Sequence, residues 1–150
     1  PVEIVSSGES WTYDVAAEIP GLTEVQGGTY SIMESYYTYM SEFQISGRII
    51  GTIISTPRPG VAIGDIGLKA IAITHGLPVV ESPSGISVKE LHPEHTLLQV
   101  EQDVQLQVGD KFTLFPCQQD FTVNRWDQFV AVRKGKVEAV WDIMARGCHN

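Results

Sequence analysis

From residue 44 onward the apolar residues fall in short β-branched runs punctuated by turn residues, and this pattern limits the fold more than any other feature of the chain. Residues 45–56 (ISGRIIGTIIST) read as one long strand, ended by the turn signal Pro57-Arg58-Pro59-Gly60. Further strand-like runs cover residues 61–65, 68–73, 96–100, 104–107, 111–115, 128–133 and 137–143. Gly109-Asp110 and Lys134-Gly135-Lys136 stand between such runs, where hairpin turns are expected. Strands at this spacing, with no long amphipathic helix between them, predict a mainly β domain, an antiparallel β-barrel or sandwich.

The first 43 residues have a different texture. Residues 3–6 form a short apolar strand that runs into Ser7-Gly8-Glu9-Ser10, and residues 23–26 repeat the idea into Gly27-Gly28-Thr29. A helical stretch is expected after each loop, over residues 11–18 and over residues 30–43 with their Tyr36, Tyr37 and Tyr39 cluster. Strand, small-residue loop and helix, twice over, is α/β texture. Two such units cannot cover both faces of a parallel sheet, so the segment reads as the end of an α/β domain whose earlier part is absent. The chain begins at Pro1 without an initiator Met, which fits a processed product or a piece of something longer.

Charge divides at the same place. Residues 1–47 hold seven carboxylates and no Lys or Arg, while the remainder is nearly balanced, within a net charge of −8. An acidic half without cations repels a phosphate backbone, which argues against nucleic acid as a partner. No polybasic segment, signal peptide or apolar run of membrane-spanning length is visible. Two cysteines, Cys117 and Cys148, define no disulfide framework, and reduced thiols in a cytoplasmic protein are expected.

Three constellations could carry chemistry. The two small-residue loops could close their backbone N–H groups on a phosphate, although glycine serves any tight turn equally well. His92-Pro93-Glu94-His95 is an H-x-x-H pair, but Pro93 disfavours the helix that would align both rings, so a loop role is expected beside the metal reading. After the run ending at Phe115, Pro116-Cys117-Gln118-Gln119-Asp120 offers oxygen and sulfur ligands at an unspecific spacing.

Six segments, in order, resemble the C-terminal part of the D-threonine aldolase and D-serine dehydratase family, pyridoxal-phosphate enzymes of alanine-racemase-like fold. Thr23-Glu24-Val25-Gln26-Gly27-Gly28-Thr29-Tyr30 is similar to its T-E-L-Q-x-G-x-Y stretch. Gly64-Asp65-Ile66-Gly67-Leu68-Lys69-Ala70 resembles its D-x-G-x-K-A signature, and His75-Gly76-Leu77-Pro78 is similar to the family's next few residues. Glu90-Leu91-His92-Pro93-Glu94-His95, Val108-Gly109-Asp110-Lys111 and Trp141-Asp142-Ile143-Met144-Ala145-Arg146-Gly147 complete the likeness.

By that resemblance, residues 1–43 match the last two βα units of a (β/α)8 barrel and residues 44–150 a C-terminal β-domain. The cofactor's phosphate would be held by Gly8, Glu9 and Ser10 in the first loop and by Gly28 and Thr29 in the second. Glu9 stands where the family usually has Gly, and a carboxylate there must point away from a phosphate. The family's metal pair, P-x-H-x-C or P-x-H-x-D, aligns on Gln118 and Asp120, so half of it is kept. The lysine that anchors the cofactor lies upstream in the family, and none of Lys69, Lys89, Lys111, Lys134 or Lys136 matches it. No catalytic residue is therefore assigned.

The resemblance implies a fragment of a lyase acting on a D-amino acid, a homodimer in the cytoplasm, inactive alone. Two alternatives stay open at this stage: a freestanding non-catalytic β-domain used for binding or dimerisation, and a metal-dependent hydrolase built on His92, His95 and Asp120.

Overall fold

Alternation in the long central strand sets the inside and outside of the sheet. In β3 (Ile49–Arg58), Ile49, Gly51 and Ile53 face the core while Ile50 is turned outward. A computed structural model, describing residues 2–148, places this strand in the middle of a six-stranded antiparallel sheet. The other members are β4 (Val61–Gly64), β5 (Val79–Ser82), β6 (Ile86–Leu91), β7 (Thr96–Val100) and β8 (Lys111–Phe115). Their order is β5-β8-β3-β4-β7-β6, and the two edge strands come into contact, so the sheet nearly closes into a barrel.

The barrel interior holds Ile49, Ile53, Ala62, Ile66, Ile71, Ile86, Leu91, Leu98, Phe112 and Leu114. Each fully buried large aliphatic or aromatic side chain here contributes about 1.5–3 kcal/mol relative to exposure. Phe112 is the largest, and two glycines make room for it. A Cβ on Gly51 or on Gly64 would lie 2.4 Å from the Phe112 ring. The ring thus fills the space that side chains on β3 and β4 would otherwise take.

Ahead of the barrel, β1 (Ser6–Ser7) and β2 (Glu24–Val25) form a two-stranded parallel sheet with the short helix α1 (Tyr13–Ala17) between them. The βα texture is present there. Over residues 30–43 the structure differs from the expected helix, showing only two 310 turns, Thr29–Ser31 and Ser35–Tyr37. Met33 sits at φ +51, which interrupts any continuous helix. A small core of Met33, Tyr37 and Met40 packs there, with Trp11 stacked on Tyr37 at 4.8 Å.

The structure also differs from the expected strands in several places. Residues 68–73 form a buried tight turn instead, because Ala70 and Ile71 both donate to the Gly67 carbonyl and Leu68 donates to that of His92. Residues 104–107 are loop. The Gly109-Asp110 turn joins no hairpin, since β8 pairs with β3 and β5. Strands β5 and β6 and the helix α2 (Gln119–Val123) carry no clear sequence signal. The final hairpin does: β9 (Gln128–Arg133) and β10 (Lys136–Asp142) are joined by Lys134 and Gly135 at φ +50 and +74, a two-residue type I′ turn. Among the described residues no helix is long and apolar enough to cross a membrane.

The Phe112 packing yields a stability test. Gly51→Ala or Gly64→Ala should lower the melting temperature by roughly 3–10 °C, equivalent to about 1–3 kcal/mol of overpacking. Gly28→Ala, where a Cβ meets nothing within 4 Å, should change it little. Thermal unfolding by circular dichroism reads both.

Candidate functional site

The two small-residue loops come together because their strands pair. Ser6 lies opposite Glu24 and Ser7 opposite Val25, so the loops leave the sheet side by side. Gly8 adopts φ +83, and a Cβ there would stand 2.7 Å from that of Ala16, so only glycine lets the first loop sit this close to α1. Ser10 is buried, and its Oγ accepts the Tyr30 N–H at 3.0 Å, stitching the first loop to the second. Glu9 is exposed, and its own N–H is taken by Thr12 Oγ1 at 2.9 Å.

The second loop opens onto a cavity of about 460 Å³, whose walls include Gly28, Thr29, Ser31, Gln119, Asp120 and Phe129. One wall is the 310 turn that follows Gly28, whose first amides have no partner inside the turn. Gln119, Asp120 and Val123 of α2 and Phe129 of β9 also line it. Of the residues singled out from sequence, Gly28, Thr29 and Asp120 meet here, about 90 residues apart in the chain. Ser10 lines a neighbouring cavity of about 240 Å³, with Tyr13, Gly27, Tyr30 and Phe43. Tyr13 donates to Glu42 there, and this hydrogen bond raises its pKa.

Gln118 does not line the large cavity. It is buried, with Oε1 lacking a hydrogen-bond partner among the described residues, and Asp120 alone of the pair reaches the open space. His92 and His95 occupy the loop between β6 and β7, where the His92 N–H donates to the His95 carbonyl at 2.8 Å. Among the described residues no group of three or more His, Cys, Asp and Glu could hold a metal ion, so the hydrolase built on His92, His95 and Asp120 has no site. Cys117 is buried and Cys148 exposed, both free; burial pushes the Cys117 thiol up, away from a reactive thiolate.

Sequence reading missed the residues that fix the start of α2. Glu34 is 4% exposed, and its Oε2 accepts the main-chain N–H of Gln119 at 2.7 Å. The Gln119 side chain in turn donates to the Met33 carbonyl at 2.6 Å. His75 Nδ1 lies 3.8 Å from Glu34 Oε1, and the His75 ring packs against Tyr36. Burial holds the Glu34 carboxyl above its ordinary value, and nearby Asp120 adds to this, against the Gln119 hydrogen bond and His75. Tyr37 beside it is pushed up to about 12, mainly by burial. A single acidic residue between Met33 and the tyrosines was the available signal, since an isolated carboxylate among apolar neighbours needs a partner.

A β-barrel preceded by paired βα loops recurs in solved structures. An alanine-racemase-like protein from Idiomarina loihiensis shares the fold, with a TM-score of 0.80 at 17% identity, over 93% of this chain and 43% of that one. The D-threonine aldolase of Filomicrobium marinum superimposes with a TM-score of 0.92 at 25% identity, covering 99% of this chain and 43% of the other. A 3-hydroxy-D-aspartate aldolase of Paracoccus denitrificans is 32% identical over 155 aligned positions, 97% of this chain and 40% of that protein. Residues 46–132 match the family described as "Putative serine dehydratase domain", and the chain belongs to that family. It spans about two fifths of the length of the relatives it matches.

The buried carboxylate gives a pH test. A raised pKa in the folded state means that the unfolded chain releases this proton at lower pH, so Glu34 favours folding below the ordinary glutamate value of 4.5 and that contribution is lost as pH rises through the folded value. Glu34→Gln removes the loss. Its melting temperature relative to the parent sequence should therefore rise between about pH 4 and pH 7, measured by calorimetry across that range.

Proposed function

We propose that this chain is the C-terminal part of a pyridoxal-phosphate enzyme that acts on a D-amino acid carrying a 3-hydroxyl group, of the aldolase or dehydratase kind. The observation that carries the reading is the cavity itself, whose lining brings Gly28 and Thr29 together with Asp120. Such a cavity suits a ligand with an anion at one end and a hydroxyl or ammonium group at the other. In this reading residues 1–43 are the last two βα units of the barrel and residues 44–150 the β-domain. The exposed Val2, Ile4, Val15 and Ile19 around the small parallel sheet support it, since parallel strands are normally covered on both faces.

The residues fit a phosphate held without cations. Gly28 and Thr29 would hold it through main-chain N–H groups and the Thr29 hydroxyl. Gly8 and Ser10 would bring the first loop against the second. Glu9, exposed and with its amide engaged by Thr12, would remain beside the phosphate without donating to it. When bound, the cofactor supplies the electron sink that labilises bonds at the substrate α-carbon. None of the lysines lines the cavity, so its anchoring amine would come from outside this chain. For aldol cleavage Asp120 would accept the proton of the substrate 3-hydroxyl at a carboxylate oxygen as the Cα–Cβ bond breaks, and Phe129 would exclude water from that end.

A resident transition metal does not fit. The pair at Gln118 and Asp120 offers one carboxylate and one neutral amide, with the amide oxygen sealed away from the cavity. The enzyme is further read as a cytoplasmic homodimer, and sedimentation of the full-length protein checks its subunit number.

Two measurements test the reading. Full-length protein loaded with pyridoxal phosphate should cleave or dehydrate D-threonine or 3-hydroxy-D-aspartate, and Asp120→Asn should lower kcat/KM by about 10²-fold with cofactor affinity kept. Absence of turnover of any D-3-hydroxy amino acid sinks it. For the metal, EDTA should leave the melting temperature unchanged and calorimetric titration with zinc should reveal no stoichiometric tight site; a tight one-to-one site reverses that part.

A further inference from the structure

Asp120 reaches the cavity from the second position of a five-residue helix with no cap of its own. Gln118 stands at the N-cap position of α2 and makes no side-chain capping bond. The Gln119 N–H at the first turn therefore has no local partner, and a helix this short has little to hold its direction. The partner it does have comes from 85 residues away, the buried Glu34 carboxylate. A carboxylate is a costly choice there. Its neighbouring cation is no Lys or Arg but His75, at 3.8 Å when protonated, and Asp120 nearby is a second negative charge.

The choice makes sense through what Glu34 is attached to. It follows closely on the segment Gly28–Ile32 that also lines the cavity. Three more contacts bind the same two stretches: Gln119 Nε2 to the Met33 carbonyl at 2.6 Å, and Ser35 N and Oγ to the Pro116 carbonyl at 3.0 and 3.2 Å. Gly47 leaves the passage for the Gln119 side chain, since a Cβ there would stand 2.5 Å from Nε2. Met33 holds φ +51 within this set of bonds, a conformation that a Met adopts only when its surroundings impose it. The two stretches are thus joined by direct bonds beside the cavity, and the span from Gly28 and Thr29 to Asp120 is set locally.

We propose that Glu34 is the positioning residue of this site: by accepting the Gln119 main-chain N–H it fixes the start of α2, and with it the distance between Asp120 and the anion-binding turn. The inference rests on the functional reading above for its kinetic consequence, and on the geometry alone for its structural one. Glu34 touches no ligand in this scheme. Its acceptor oxygen matters, and its charge does not, so glutamine should replace it and alanine should not.

The experiment compares Glu34→Ala, Glu34→Gln and Glu34→Asp in the full-length protein, with pyridoxal phosphate and D-threonine as probes. Glu34→Ala should speed hydrogen exchange of the Gln119 amide by about tenfold, as expected for one lost hydrogen bond. It should lower kcat for D-threonine by about tenfold while KM changes less than about threefold and the cofactor's absorbance titration is unmoved, because a misplaced proton acceptor acts on the transition state. Glu34→Gln should restore both amide protection and kcat. Glu34→Asp, one methylene shorter, should fold and show the kcat effect, and it replaces the alanine variant if that one does not fold. Unchanged Gln119 exchange in Glu34→Ala overturns the proposal, as does equal impairment of the alanine and glutamine variants. Should the unmodified enzyme turn over no D-3-hydroxy amino acid, the functional reading falls. The positioning role is then decided by exchange alone, supported if glutamine restores protection lost in alanine and overturned if it does not.

Discussion

The bonds between residues 33–35 and 116–119 hold the site together. Without them the βα loops would be one small unit and the barrel another, with no cavity defined between Thr29 and Asp120. These contacts join stretches more than 80 residues apart, so each is made against the entropy of closing a long loop. The barrel in turn closes because Phe112 can sit over Gly51 and Gly64, which brings β8 against β3 and places Pro116 at the rim. Packing inside the barrel therefore decides where the outer loop lands, and the loop decides where the carboxylate points.

Polar bonding around this joint is economical in partners. Thr122 Oγ1 donates to the Gln118 carbonyl and accepts the Ala72 N–H, tying α2 to the turn after the D-x-G-x-K-A segment. Trp126 Nε1 donates to the Ala70 carbonyl from the other side. Motifs that run through the sequence as separate signatures are, in space, successive supports of one helix. The resemblance that pointed to a phosphate-binding loop and to a metal pair thus led to one cavity, though only Asp120 of the pair lies in its lining.

Much of the architecture is legible in the sequence because strand pattern is local. Strands β3, β4, β7, β8, β9 and β10 announce themselves by β-branched alternation and by turns such as Lys134-Gly135, where the backbone requirement is written in the residue type. The failures share a cause. Residues 68–73 have strand composition but are bent by donation to the Gly67 and His92 carbonyls, and residues 30–43 have helix-compatible composition but are broken where Met33 is gripped by Gln119. Glu34 and Gln119 carried no motif at all, because a buried acceptor is defined by the donor that reaches it.

The sequence by itself determined the mainly β class and marked the two small-residue loops, since periodicity and turn chemistry are properties of neighbouring residues, while Asp120 became a candidate through the family resemblance. The tertiary structure decided which of these meet. It brought Gly28 and Thr29 to Asp120, withdrew Gln118 from the cavity, consigned His92 and His95 to a hairpin loop, and revealed Glu34 as the cap that α2 lacks. The physical reason is that a site is made of distances across the fold, and a hydrogen bond spanning 85 residues is not specified by the composition around either end, which at Glu34 says only that a partner is needed.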